Sequence, residues 1–233
     1  MHHEWESPGA GVHRCRLPFL DVTVGVILGR DGAVVVDTGS TLEEAASVAA
    51  DVAELGGVPV RHVVLTHDHF DHVLGAPVFA GAELWAAPRV AETLARRRDE
   101  LRADAIRYGA DAAAVDRALA AVSVPGHRIQ RCRIDLGGRT VDVEHLGRGH
   151  TDHDLVVRVG AGATADPVVV FCGDLVEESA DPAVGPDADP RAWVGTLDRL
   201  LDFGGEHARY VPGHGATVDA AFVRRQQEQL RRM

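Results

Sequence analysis

The segment from Thr66 to His72 constrains this chain more than any other part of its sequence. It reads Thr-His-Asp-His-Phe-Asp-His and follows residues 60–65, an apolar run that we interpret as a strand buried on both faces. Three imidazoles and two carboxylates beside a buried strand would repel like charges and lose hydration. A metal ion removes both costs, because it takes neutral imidazole as a ligand. The segment therefore predicts a metal site.

The spacing within this segment predicts two metal ions. His67 and His69, two positions apart in an extended turn, face the same way and chelate one ion. Asp71 and His72 come round to the other side of the turn and reach a second ion. Two ions about 3.5–4 Å apart share a hydroxide, because metal binding lowers the pKa of water to roughly 7. That hydroxide attacks a carbonyl or phosphoryl centre, with Asp71 as the catalytic residue that orients it.

The rest of the chain alternates between strand and helix patterns, with hairpins that argue against an all-parallel sheet. We expect two sheets packed face to face with helices outside. A composition rich in Ala, Arg, Asp and Glu marks a helical insert at about residues 88–122, with two or three helices broken near Gly109. Strands are predicted at residues 21–28, 33–37, 140–146, 155–159 and 168–172 and in a short run ending at Val211, and helices at residues 41–55, 193–203 and 220–233.

The pattern His67-Asp68-His69-Phe70-Asp71-His72 resembles the HxHxDH signature of the metallo-β-lactamase-fold hydrolase superfamily. Further motifs of that superfamily follow in the same order, and the resemblance runs from about residue 21 to residue 218. These motifs are V-V-V-D-T-G with Asp37, G-R-G-H-T with His150, F-C-G-D-L with Asp174 and P-G-H-G with His214. The resemblance implies an α+β fold, a four-layer αββα sandwich of two mixed β-sheets with a helical insert. We expect a single metallo-hydrolase domain over residues 1–233.

The resemblance also implies a ligand set. His67, His69 and His150 would bind the first metal, and Asp71, His72 and His214 the second. Asp174 would bridge them. The implied cofactors are two Zn²⁺ ions, with Mn²⁺ or Fe as alternatives.

Residues next to the implied ligands have expected roles as well. Asp37 and Thr66 would orient ligand imidazoles by hydrogen bonds. Cys172 should face the same side as Asp174, as a small buried hydrophobe. His153 and Asp154 are interpreted as a local hydrogen-bonded pair, or as solvated.

The substrate is less constrained than the metal site. Asp174 stands where true β-lactamases of one branch use Cys, and the chain contains no Lys to hold a drug carboxylate. We expect a small ester, thioester, lactone or amide, with weak β-lactam hydrolysis open. The insert, including its Arg residues and Tyr108, would contact substrate or form a surface or dimer contact, and residues 181–190 would form another rim. An iron-dependent redox enzyme resembling persulfide dioxygenases and a non-catalytic module remain alternatives.

Composition limits the classes of partner and the cellular compartment that we expect for this protein. The formal net charge of -11 disfavours nucleic-acid binding. Three widely spaced cysteines without a CxxC motif fit a reducing compartment. The sequence has neither a recognisable signal peptide nor an apolar run of about 20 residues. We therefore expect a cytoplasmic protein that acts on a small molecule, without a membrane or nucleic-acid partner, and with a homodimer possible.

Overall fold

A computed structural model of the chain describes residues 1–160 and 166–233 and contains two mixed β-sheets. The strands of the first sheet lie in chain order. They are β1 (Trp5–Gly9), β2 (Val12–Arg16), β3 (Thr23–Leu28), β4 (Ala33–Val36), β5 (Val60–Val64), β6 (Glu83–Ala86) and β7 (His127–Arg128). β1 to β4 pair antiparallel, whereas β4 to β7 pair parallel.

The second sheet is formed by the later part of the chain. Its strands are β8 (Arg131–Asp135), β9 (Thr140–His145), β10 (Leu155–Val159), β11 (Val169–Glu177) and β12 (Arg209–His214). Their order is β12-β11-β10-β9-β8, and only β11 and β12 pair parallel. The final strand therefore lies beside β11, which places the ends of both strands at one edge of the sandwich.

Helices cover the outer faces of both sheets. The helices are α1 (Leu42–Gly56), α2 (Phe70–Val73), α3 (Pro88–Arg96), α4 (Arg98–Arg107), α5 (Ala112–Ala121), α6 (Pro190–Gly204) and α7 (Ala220–Leu230). Apolar residues of α1 and of α3 to α5 join the core of the first sheet, and those of α6 and α7 join a second core with β11. The predicted α+β class and αββα layering are confirmed.

The two sheets pack closely at one point that requires glycine. A Cβ atom on Gly25 of β3 would lie 2.3 Å from the ring of Phe171 on β11. Any larger residue there would push the sheets apart, because protein interiors leave no room for an extra methyl group. This contact belongs to the larger core, which continues to the edge where the polar residues gather.

Several local predictions agree with the structure. Thr41 caps α1 by accepting from the backbone of Glu44, and Gly57 ends that helix with a φ of 60°. β3 and β4 form the expected hairpin. The helical insert is present as α3, α4 and α5, with breaks at Arg97 as well as at Gly109.

Other predictions were wrong. β1, β2, β6, β7 and β8 were not predicted, β11 and β12 extend beyond their predicted ends, and the last helix stops at Leu230. β5 is buried only in its second half. His62 lies edge-on to Trp85, and its Nδ1 is 3.1 Å from the Glu83 carboxylate, so the first half of β5 lies in a polar part of the surface.

Across the described residues, every helix is too short or too polar to cross a lipid bilayer.

Candidate metal centre

The seven predicted ligands converge at one edge of the sandwich. Four of them lie on the turn after β5 and in α2, the loop between β9 and β10 contributes one, and β11 and β12 contribute one each. They are His67, His69, Asp71, His72, His150, Asp174 and His214. Chain segments that leave parallel strands at the same edge meet there, so residues far apart in sequence become neighbours.

One group of ligand atoms lies around His67, His69 and His150. With Asp174, their ligand atoms all lie within 4.8 Å of one another. His69 Nδ1 is 3.0 Å from His150 Nε2, and His150 Nε2 is 3.4 Å from Asp174 Oδ2. This is the spacing expected of side chains that share one ion.

A second group consists of Asp71, His72 and His214, whose ligand atoms also lie within 4.8 Å of one another. Asp174 reaches both groups: its Oδ1 is 3.2 Å from His72 Nε2, and its Oδ2 is 3.4 Å from both His214 Nε2 and His150 Nε2. Asp174 thus stands between the groups, where the resemblance places a bridging carboxylate.

Outer hydrogen bonds orient the imidazoles of the HxHxDH turn. His72 Nδ1 donates to Asp37 at 2.9 Å. The Thr66 hydroxyl donates to the same carboxylate, so its lone pair accepts from His67 Nδ1 at 3.0 Å. His69 Nε2 donates to Asp187 at 3.2 Å. In each case the other ring nitrogen is left with a lone pair directed at the centre.

The remaining two imidazoles are fixed by backbone carbonyls. His150 Nδ1 donates to Ala183 at 3.1 Å, and His214 Nδ1 donates to Leu20 at 2.8 Å. Leu20 has a φ of 58°, an uncommon conformation outside glycine, in the turn between β2 and β3. The turn between β2 and β3 therefore places the Leu20 carbonyl against the imidazole of His214, which lies on the last strand.

The donor set fits divalent cations. Within the described residues, His67 Nε2, His72 Nε2 and Asp174 Oδ1 are buried without a hydrogen-bond partner. Buried polar atoms in native proteins are almost always satisfied, and nitrogen and carboxylate ligands suit zinc and neighbouring metals. His69 Nδ1 and His150 Nε2 lie only 3.0 Å apart, so loss of the proton that His69 shares between them would leave two nitrogens placed to bind one cation.

Charges within the cluster shift the ligand pKa values in opposite directions. Burial alone would lower the pKa of His214, but the Asp174 and Asp71 carboxylates outweigh it and raise the pKa to about 10. Burial also lowers the pKa of His69, but the neighbouring carboxylates outweigh it and raise the pKa to about 9. The hydrogen bond from His69 to Asp187 contributes most to this increase. Burial and the neighbouring His72 lower the pKa of His67.

Sequence reasoning missed a hydrogen-bonded network beside the ligands. Asp68 accepts from Thr93 at 2.6 Å and lies 3.2 Å from His153 Nε2. The predicted pairing of His153 with Asp154 is wrong, because His153 Nδ1 is bonded to Asp152 and its Nε2 lies beside Asp68, whereas Asp154 accepts from Thr151. The only available signal was the position of Asp68 inside the HxHxDH segment.

Two carboxylates of the site also escaped prediction. Asp187 is one of several acidic residues in an irregular loop, and no sequence pattern distinguishes it. Glu177 is buried at the end of β11 and joins Asp174 and His214 in a possible ligand group. Burial and the nearby Asp174 raise the pKa of Glu177 to about 7.

Cys172 does not reach the centre. It packs in the core beneath α6 and α7, and its thiol donates to the Val170 carbonyl. The expectation that it faces the same side as Asp174 was wrong, because the register of β11 shifts on either side of Gly173. The alternative interpretation of Cys172, a small buried hydrophobe, agrees with this packing.

An open cavity of about 990 Å³ leads to the ligand cluster. Its walls come from the insert, from the loop at residues 179–188 and from the turn that carries Leu20. Tyr108 and Arg residues of the insert line it, and so does Asp187 of the loop at residues 179–188.

Comparisons with known proteins agree on the fold. The profile of the Metallo-beta-lactamase superfamily matches residues 17–214. A metallo-beta-lactamase from Hirschia baltica superposes with a TM-score of 0.72 at 17% identity, covering 98% of this chain and 97% of that one. The DIM-1 metallo-beta-lactamase, from a crystal exposed to ceftazidime, superposes with a TM-score of 0.75 at 16% identity, covering 99% and 97%.

A curated relative matches over a short segment. A linear primary-alkylsulfatase of a Pseudomonas species is 32% identical over 53 residues, which is 23% of this chain and 10% of that protein. The chain thus spans only a small part of this relative.

Proposed function

This chain belongs to the metallo-beta-lactamase superfamily, and we propose that it is a hydrolase that holds two divalent cations, zinc foremost, and cleaves a small ester, thioester, lactone or amide. The divalent-metal chemistry follows from the superfamily and from the His and Asp clusters. The number and identity of the ions and the bond that is cleaved are our proposal.

One observation carries the proposal. Five imidazoles surround Asp174, and each has its outer nitrogen bonded to a hydroxyl, a carboxylate or a carbonyl. Such outer partners fix the tautomer and the ring orientation of metal-bound histidines. A role without bound metal would not require the inner nitrogens of these histidines to gather around one carboxylate.

The residues that line the proposed site would have distinct roles in hydrolysis. His67, His69 and His150 would hold one cation, Asp71, His72 and His214 the other, and Asp174 both. Bound cations of this kind supply an activated water and polarise the substrate oxygen. Asp71 lines the cavity and would orient the attacking water through its carboxylate. The insert and the facing loop would hold the substrate in place.

A hydrolysis panel on metal-defined protein tests the proposal. The panel contains esters, thioesters, lactones, phosphodiesters and β-lactams, with alkyl sulfates added because of the short match to an alkylsulfatase. We expect turnover of at least one carbonyl substrate, loss of turnover with chelator, and recovery with zinc or manganese. Activity that is indifferent to chelation would contradict the proposal, and so would iron accompanied by oxygen consumption.

Variants assign the ligands. We expect His69→Ala and Asp174→Ala to lower kcat/KM by roughly 100-fold or more while the chain stays folded. His127→Ala is the matched control, because His127 stacks on Trp85 and lies outside the ligand groups. Full turnover by either ligand variant would refute the assignment.

A further inference from the structure

The cavity has an apolar lining at its mouth in addition to its polar floor. Three separate segments contribute apolar side chains to it: Leu20 from the β2–β3 turn, Tyr108 from the insert and Val184 from the facing loop. Tyr108 is 57% exposed and Val184 is 48% exposed. Scattered exposed apolar residues are ordinary, but two of them from separate segments that line one cavity indicate a contact surface.

An aromatic pair connects this surface to the ligand cluster. Phe70 lies between His69 and Asp71 in the sequence, and its ring centroid is 5.9 Å from that of Tyr108. Leu101 of α4 also lines the cavity and is buried. Apolar surface therefore runs from beside the ligands to the mouth of the cavity.

Among the described residues, the arginines that line the cavity all have carboxylate partners. Each of the four arginines that line it forms an ion pair with a carboxylate; the pairs are Arg89–Glu92, Arg97–Glu100, Arg107–Asp104 and Arg148–Asp189. Acidic residues outnumber these arginines in the lining. A negative charge on the distant part of a substrate would thus meet net repulsion from the walls.

We propose that the cavity selects substrates whose non-reacting part is an uncharged apolar chain, which lies along Phe70 and Tyr108 and under Val184. This selectivity rests on the proposed hydrolase function. The reacting carbonyl would stay at the ligand cluster, and the chain would extend toward the mouth and cover apolar surface that is otherwise in contact with water.

A chain-length series on the metal-loaded protein tests the selectivity. The substrates are 4-nitrophenyl esters of acetic, butyric, hexanoic and octanoic acid, with the half-ester of a dicarboxylic acid of matching length as the charged comparison. Burial of a methylene predicts a rise in kcat/KM of about two- to fourfold per added methylene, until the chain reaches the mouth. The carboxylate-ended substrate should be cleaved more slowly than its neutral counterpart.

Substitutions in the cavity lining test where the apolar chain of the substrate lies. Tyr108→Ala and Val184→Ser should each flatten the dependence of kcat/KM on chain length. Ile106→Ala is the matched control, since Ile106 is an exposed apolar residue of the same insert that lies outside the cavity lining. It should keep the wild-type dependence.

A binding measurement separates this proposal from the proposed function. Saturation-transfer NMR with 2-alkanones of increasing length reports binding without hydrolysis. If no ester is cleaved but ketone binding strengthens with chain length and weakens in Tyr108→Ala, the apolar site stands and the hydrolase proposal fails. A flat series in both assays, a preference for the carboxylate-ended substrate, or equal effects of Tyr108→Ala and Ile106→Ala would overturn the selectivity.

Discussion

Replacing Asp37 with Asn should weaken metal binding without removing a ligand. The Asp37 carboxylate accepts from the Thr66 backbone at 2.8 Å, from the Thr66 hydroxyl at 2.8 Å and from His72 Nδ1 at 2.9 Å. Asp37 is buried and has a φ of 57°, a conformation that Asn tolerates well. The substitution therefore changes charge and hydrogen bonding while it preserves shape and backbone.

The magnitude follows from which hydrogen bonds survive. In Asp37→Asn, the amide oxygen still accepts from the Thr66 backbone, and the amide nitrogen faces the Thr66 hydroxyl, which can turn to accept. His72 Nδ1 then faces another donor and loses its partner. A buried donor without an acceptor costs about 1–3 kcal/mol of folding stability. Loss of an outer partner of a metal-bound histidine typically lowers metal affinity about 10- to 100-fold.

The assay combines zinc competition against a chromophoric chelator with urea unfolding in excess chelator. Asp51→Asn is the matched control, because Asp51 is also a buried carboxylate with three donors, from His2, His3 and Trp5. It should lose a similar amount of stability and keep wild-type zinc affinity. Two zinc ions bound by Asp37→Asn with wild-type affinity would refute the role of Asp37 in orienting His72.

Three further predictions concern other parts of the centre. Asp187→Ala removes the hydrogen-bond acceptor of His69 Nε2, so affinity for the first ion should fall roughly tenfold in the same competition assay. Gly213→Ala should abolish binding of at least one ion in a dialysis and metal-content measurement, because a Cβ there would lie 1.8 Å from Asp174 Oδ1. Metal uptake at pH 7 should release protons, measured by calorimetry in buffers of different ionisation enthalpy, and affinity should rise from pH 7 to 9. The reason is that His69 and His214 have pKa values raised to about 9 and about 10, so they are protonated below those pH values and must lose a proton to bind.

Controls separate these effects from general damage to the fold. Asp181→Ala changes another acidic residue of the same loop, which contacts Gln229 rather than a ligand, and should leave zinc affinity unchanged. Gly195→Ala places a methyl group 3.5 Å from its nearest neighbour in α6, and should keep both ions. Zinc uptake without proton release, or Gly213→Ala with full metal content, would contradict the corresponding reasoning.

The sequence was most informative where neighbouring residues act together. The HxHxDH segment concentrates four of the proposed ligands in six positions, so short-range spacing alone predicts a metal site. Thr41 and Gly57 mark the ends of α1 for equally local reasons, namely a side-chain cap and a left-handed backbone conformation. The more distant ligands, such as His150 and His214, came from the resemblance rather than from spacing.

Predictions were wrong where tertiary contacts were inferred from the alternation of strand residues or from proximity in the sequence. Cys172 was expected to face the centre because strand residues alternate, but the register of β11 shifts at Gly173. His153 was paired with its sequence neighbour Asp154, whereas the fold brings it to Asp68. Local sequence patterns do not reveal such contacts, because an irregular strand or a loop can turn a side chain to either face of a sheet.

By itself, the sequence determined the chemistry of the proposed ligands, the layered α+β class and the position of the helical insert. Each of these follows from residue type and short-range periodicity. The tertiary structure alone decided that Asp187 bonds His69, that Leu20 and Ala183 offer carbonyls to imidazoles of the proposed metal site, and that Tyr108 and Val184 line one cavity. Those arrangements join segments tens to nearly two hundred positions apart. They are set by how the two sheets and the insert pack, and no local rule of sequence encodes that packing.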